Sequence, residues 1–447
     1  MISSIGLLTK RRFLPLFATQ FLGAFNDNLF KNAMVFFATY QIFNSAEDET
    51  RFSAIATALF ILPFFLFSAL AGQLADSYDK AKIMRIIKLC EIGIMVVGAV
   101  GILAGSLALM LTALIGMGIH STFFGPIKYA VIPQHMAEDE VLGGTGLVEA
   151  GTYIAVLCGT IAGGLINYRV AAGAVIVVAL IGWFASRSIP PAPPTCHGSP
   201  SRPMTSDNSR ACTAESAAIS TAALWVCWLI AATMHIRRLY LAIISISVFW
   251  TIAAVLGVLF PPLVKNVFHA QKDVASVFLA IFSVGIAIGS VIINALLKGH
   301  VSARYSPASV LAMAVFVADF YYAAHNWGGA PNDSLVKTLD FIAIPGAWRI
   351  FFDLGMIAIT GGMFVVPLYA FLTTTVEKSQ TSRTVAANNI VNAFFMVVGS
   401  VGIYGVTLIG VGVDDALLAV LALCLLSAIA AWHLHRAGDV PRKAPSA

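Results

Sequence analysis

The run Phe25-Asn26-Asp27-Asn28-Leu29-Phe30-Lys31-Asn32 places a carboxylate, an ammonium and three carboxamides in eight residues. It sits inside an apolar segment reaching from about Phe13 to Phe43. With a helical rise of 1.5 Å per residue, Asp27 falls roughly 21 Å beyond Phe13. A hydrocarbon core about 30 Å thick would enclose it. A charge there costs at least about 2.5–3.5 kcal/mol, so it faces a bundle interior or a wet cavity, not lipid. Asn26, Asp27, Asn28 and Lys31 are therefore candidates for lining a translocation path. The structural alternative is that Asp27 and Lys31, one helical turn apart, pair with each other.

The elements that must hold this cluster are read from composition. Of 447 residues, 59% are hydrophobic and 11% charged, against about 25% charged in a soluble domain. This is the composition of an integral membrane protein. Twelve segments are long and apolar enough to span, at about 13–42, 52–75, 83–104, 107–126, 142–167, 169–187, 239–263, 274–298, 307–326, 350–373, 384–409 and 415–435. The first of these is too long for a cleavable signal and lacks a small-residue cleavage site. Residues 189–238 start with Ile189-Pro190-Pro191-Ala192-Pro193-Pro194 and continue Ser-rich. They read as a flexible linker with an interfacial Trp-rich helix near 222–230. The expected fold is all-α: residues 1–188 form one six-helix bundle, 189–238 a cytoplasmic linker, and 239–447 a second six-helix bundle.

Charge placement orients the chain. With both termini cytoplasmic, twenty of the 27 basic residues fall at inner ends or loops, Lys88 among them, and six fall outside. A thirteenth span through residues 222–230 would destroy that asymmetry. The six cysteines form no Cys-x-x-Cys or Cys/His cluster, so neither a disulfide framework nor a metal site is expected. No nucleotide-binding Gly-x-x-x-x-Gly-Lys-[Ser/Thr] motif is present. No cofactor, catalytic site or nucleic-acid partner is indicated.

Further motifs carry possible chemistry. Gly72-Gln73-Leu74-Ala75-Asp76-Ser77-Tyr78-Asp79-Lys80-Ala81-Lys82 lies between the second and third spans. Gly72 permits close helix approach, Asp76 can meet a base or a helix N-terminus, and Lys80 and Lys82 hold the loop inside. Gly125-Pro126 is expected to end the fourth helix, leaving Lys128 near the inner interface to bind a lipid phosphate or to snorkel. Glu149 lies about two turns into the fifth span, ahead of Gly159-x-x-x-Gly163, a close-packing face. Glu91 and Asp319 read as structural or interfacial. Arg349 and Asp353 are spaced to pair. Asn388, Asn389 and Asn392 are either helix–helix hydrogen-bonding residues or lining. The Gly-Gly and Pro367 of Gly361 to Ala370 make the tenth span bendable. The run Leu339 to Ile344 is placed on the outer surface.

The Gly72–Lys82 loop resembles the signature of the major facilitator superfamily, with Asp79 where many members have glycine. It implies a conformational latch at Gly72, Asp76, Lys80 and Lys82. Together with Ala24 to Asn28, Gly125 to Tyr129, Gly146 to Ala150 and Gly361 to Ala370, it resembles the LplT-type lysophospholipid transporter family. That resemblance implies a bacterial inner-membrane flippase. It would carry lysophospholipids such as lysophosphatidylethanolamine from the outer to the inner leaflet, by alternating access, for re-acylation. No His-x-x-x-x-Asp motif occurs, so an acyltransferase or acyl-activating enzyme would be a separate partner. Other members carry an intramembrane arginine in the seventh span, whereas Thr251 to Gly257 is apolar here. Two rival functions are a proton-coupled exporter of small amphiphiles or drugs, with Asp27 or Glu149 as relay, and a non-transporting membrane protein.

Overall fold

A computed structural model describes residues 6–136, 138–193, 236–297, 302–328, 335–374 and 381–436. Among them are twelve helices of 20 to 32 residues. They are α1 (Leu14–Phe37), α2 (Ala46–Ser77), α3 (Lys80–Ala104), α4 (Leu107–His135), α5 (Glu138–Leu165), α6 (Tyr168–Arg187), α7 (Arg237–Asn266), α8 (Lys272–Leu297), α9 (Ser306–His325), α10 (Ala347–Thr374), α11 (Thr381–Leu408) and α12 (Leu417–Arg436). Ten contain stretches long and apolar enough to cross a membrane. The exceptions are α1, whose centre is amide-rich, and α5, whose apolar stretch is the shorter Ile154–Leu165. The chain is a multi-pass, all-helical membrane protein; the Trp-rich run near 222–230 lies outside the described residues.

The described residues fall into two compact units, one within Met1–Phe37 and Leu62–Cys227, the other within Ala38–Ile61 and Trp228–Ala447. The helix pairings repeat. In the first unit α1 packs on α5 and α6, and α3 on α4 and α6. In the second, α7 packs on α11 and α12, and α9 on α10 and α12. Each six-helix set thus joins its first, fifth and sixth members and its third, fourth and sixth. Sequence identity between the halves does not reveal this repeat; the packing does.

Small residues set the closest approaches. A Cβ on Gly159 would overlap the Phe25 carbonyl oxygen, and one on Gly163 would lie 2.9 Å from Asn32 Cβ. The Gly159/Gly163 face therefore seats α5 against the polar stretch of α1. In the second unit Gly285 and Gly289 of α8 face Ala358 and Ile359 of α10 in the same way.

Several expectations need correction. Gly125-Pro126 does not end the fourth helix: α4 runs on to His135. Proline removes one backbone donor, and inside a packed bundle neighbouring groups compensate for it. Lys128 consequently sits on α4 and is buried rather than placed in an interfacial loop. Asp79 N-caps α3, its side chain accepting from the Lys82 backbone N–H at 3.1 Å. The aspartate oxygen satisfies one of the free N–H groups of the first turn, which a glycine at this position would leave to solvent.

The start of the expected flexible linker is docked. Arg85 donates to the Ile189 carbonyl at 2.7 Å, and Gln134 to the Pro193 carbonyl at 3.3 Å. His135 Nε2 lies 3.2 Å from the Pro191 carbonyl, and the Lys80 backbone N–H donates to Ala192. Ile189 and Ala192 are buried. The prolines cannot donate, but the carbonyls of this stretch are good acceptors, and side-chain and backbone groups of α3 and α4 meet them. In the run Leu339 to Ile344, Leu339 is exposed while Phe341 is buried against Phe268, Trp327 and Phe351 on a single turn, Thr338–Ile342.

Candidate functional site in the first unit and its polar counterpart in the second

The first unit contains a buried polar network on α1, α3 and α4. Lys88 sits in the third turn of α3 with no exposed surface. It is not a loop charge, as its count among the inner basic residues assumed. Its Nζ donates to Glu91 Oε2 at 2.5 Å, one helical turn away. His120 Nε2 of α4 lies 3.2 Å from the same carboxylate oxygen. Asn26 Nδ2 of α1 donates to Glu91 Oε1 at 2.9 Å. Glu91 thus draws groups from three helices: it accepts hydrogen bonds from Lys88 and Asn26, and the His120 ring lies beside it. The Lys88 ammonium also lies 5.5 Å from the Phe124 ring centroid. Gly23 makes room for it, since a Cβ there would come within 2.8 Å of Nζ.

Asp27, next along α1, joins this network at its edge. Ser121 Oγ donates to Asp27 Oδ2 at 2.5 Å, and His120 Nδ1 lies 3.5 Å from Ser121 Oγ. Asp27 Oδ1 is buried with no hydrogen-bond partner. One carboxylate oxygen is therefore anchored and the other is available as an acceptor. The alternative Asp27–Lys31 pair is not among the ion pairs of the described residues; Asp27 accepts from Ser121 of α4 instead. Asn28 and Asn32 donate back to the Ala24 and Asn28 carbonyls, and Asn32 also donates to Thr160 of α5 at 3.2 Å. Lys31 is half-buried on α1.

The remaining candidates are placed as follows. Glu149 is on α5, and Gly72 and Asp76 are near the end of α2; the side chains of all three lie outside the described residues. Lys80 is buried, with its Nζ 3.4 Å from the Pro193 carbonyl, while Lys82 is exposed. Asn388 and Asn392 are buried on α11, and Asn389 is exposed. Asn392 Oδ1 accepts from Ser247 of α7 at 2.7 Å, and its Nδ2 donates to Tyr369 Oη at 3.4 Å. Trp250 Nε1 donates to the same Tyr369 oxygen at 2.7 Å. Arg349 pairs with Asp319 rather than with Asp353, through Nε at 3.1 Å and through Nη2. The α9–α10 packing brings Asp319 within reach of the guanidinium.

Sequence reading gives Glu91 only a structural or interfacial role, counts Lys88 among the inner-end charges and does not single out His120. Lys88 and Glu91 lie close enough to a helix end to be counted as boundary residues, and their i,i+3 spacing was the available signal. His120 stands alone in an apolar stretch, where only the fold reveals its partners.

Two units with the same helix pairing, long apolar helices and an intramembrane charge cluster define a two-bundle membrane transporter. The sequence profile of the Major Facilitator Superfamily matches residues 16–400. The chain belongs to that superfamily. It is 27% identical over 375 residues to the lysophospholipid transporter LplT of Serratia proteamaculans (strain 568), covering 82% of this chain and 80% of that protein. It is 29% identical over 153 residues to LplT of Salmonella newport (strain SL254), covering 34% of this chain and 36% of that one. The fold superimposes on a crystal structure of the nucleoside transporter NupG with a TM-score of 0.68 at 12% identity, over 95% of this chain and all of the other.

Proposed function

We propose that this chain is a lysophospholipid flippase of the bacterial inner membrane, with both termini cytoplasmic and twelve spanning helices. It takes lysophosphatidylethanolamine or a similar lipid from the outer leaflet and releases it to the inner leaflet by rocking of its two bundles. A separate acyltransferase then consumes the product. The observation that carries this reading is Asp27, whose Oδ1 is buried and unpartnered while Ser121 holds Oδ2. A zwitterionic head group brings an ammonium, which an unpartnered carboxylate oxygen in a poorly solvated site would bind. Lys31 and Lys128 supply positive charge for its phosphate, and the similarity to LplT over most of the chain agrees with this chemistry.

The test is uptake of labelled lysophosphatidylethanolamine by spheroplasts lacking their own transporter, with this chain or its Asp27→Asn variant. Uptake that requires Asp27 and survives a protonophore is expected. One feature favours a second reading, proton-coupled export of small amphiphiles: His120 links Glu91 to Ser121 and so to Asp27. Collapse of transport by the protonophore, with no lipid uptake, would select that reading.

A further inference from the structure

The polar cluster on α7, α10 and α11 of the second unit differs in kind from the charged network of the first. Residues 239–264 of α7, 354–374 of α10 and 384–413, spanning most of α11, contain no Asp, Glu, Lys or Arg. What they present is a cluster of neutral hydrogen-bonding groups. Tyr369 of α10 is its hub, with its hydroxyl oxygen accepting from Trp250 of α7 and from Asn392 of α11. Ser247 secures the other end of Asn392. Beside it Asn388, with no exposed surface, has a side-chain oxygen with no partner. Trp250 and Tyr369 are part-exposed and Asn389 is exposed, so the cluster borders accessible surface.

The unpartnered Asn388 oxygen limits what this cluster can bind. An amide oxygen only accepts, so its partner must carry N–H or O–H. A buried acceptor left without a donor is costly, and the fold keeps this one. An ammonium is disfavoured because no carboxylate on these helix stretches would compensate its charge. An ester carbonyl has no proton to give. A hydroxyl fits: it donates to Asn388 Oδ1 and costs little to desolvate.

Resting on the flippase reading, we infer that Trp250, Tyr369, Asn388 and Asn392 of the second unit form a subsite for an uncharged hydroxyl of the substrate. In a lysophospholipid that group is the free glycerol hydroxyl left by the missing acyl chain. The subsite thereby distinguishes a single-chain lipid from its diacyl counterpart by hydrogen bonding as well as by bulk. The seventh span is then suited to this ligand: it provides Ser247 and Trp250 to a neutral contact.

The experiment compares transport of two labelled lipids by the full-length chain in spheroplasts. One is 1-acyl lysophosphatidylethanolamine; the other is its deoxy analogue, with hydrogen in place of the glycerol hydroxyl. Sites that hydrogen-bond a substrate hydroxyl reject the analogue lacking it strongly, so a preference of about tenfold or more in kcat/KM is expected. Tyr369→Phe should bring that ratio close to one, chiefly by losing the hydroxyl-bearing lipid. Asn388→Leu is the second variant, should Tyr369→Phe fail to insert. Equal transport of both lipids by the unaltered chain would overturn the subsite while leaving the flippase reading intact. Transport of neither lipid would overturn both.

Discussion

Glu91→Gln tests the buried network most severely. The wild-type carboxylate accepts from Lys88 at 2.5 Å and Asn26 at 2.9 Å, with His120 Nε2 3.2 Å away, and Lys88 has no exposed surface through which water could replace it. A glutamine carries one acceptor oxygen instead of two and turns an NH₂ group toward the remaining donors. Removing one member of a buried ion pair costs about 3–5 kcal/mol, because the other charge is stranded. Native stabilities are about 5–15 kcal/mol, so the single variant should unfold several degrees below the parent in detergent. Lys88→Met strands Glu91 and should cost a similar amount. The double variant Lys88→Met/Glu91→Gln strands no charge and retains the amide oxygen for Asn26. Replacing both members of such a pair is often close to neutral, so most of the lost stability should return. The assay is thermal unfolding of the four purified proteins, read as a double-mutant cycle. Strictly additive losses would refute the reasoning, since they would mean that Lys88 and Glu91 are not compensating one another.

Lys265 should prove to be the anchor of residues 38–45 in the second unit. Its ammonium donates to the Thr39 carbonyl at 2.5 Å, the Phe43 carbonyl at 2.9 Å and the buried Glu49 at 2.5 Å. Lys265→Met should raise the rate of chymotryptic cleavage at Tyr40 or Phe43 by about tenfold or more, as local opening becomes cheaper; an unchanged rate would count against the anchor. Gly159→Val should lower folded yield and unfolding temperature, because overpacking a tight contact costs about 1–3 kcal/mol or more and the new Cβ overlaps the Phe25 carbonyl. Gly173→Ala on α6, where the new Cβ meets nothing within 4 Å beyond its own stretch of helix, should be neutral or slightly stabilising in the same measurement.

Much of the fold is legible in the sequence because membranes impose a simple rule: long apolar segments become helices. The limits of α6, Tyr168–Arg187, follow directly from that rule. Its failures have local causes. The helix stop expected at Gly125-Pro126 was overridden by packing, so α4 continues to His135. The Pro-rich start of the linker looks flexible by composition, yet Lys80, Arg85, Gln134 and His135 hold it. Asp27 announces itself as a charge in an oily stretch, whereas its partner Ser121 and the nearby His120 are ordinary residues until α1 and α4 come together. The Arg349–Asp319 pair shows the same limit, since spacing along one helix favours Asp353 and only the neighbouring helix supplies Asp319.

The most direct test of lipid flipping uses purified protein in liposomes. A lysophosphatidylethanolamine with a quenchable fluorescent head group is added from outside, and no ion gradient is imposed. Over time, the fraction protected from a membrane-impermeant quencher should rise well above that in protein-free liposomes, and Asp27→Asn should abolish the gain. Protection no faster than in protein-free liposomes, from a correctly folded sample, would contradict the account.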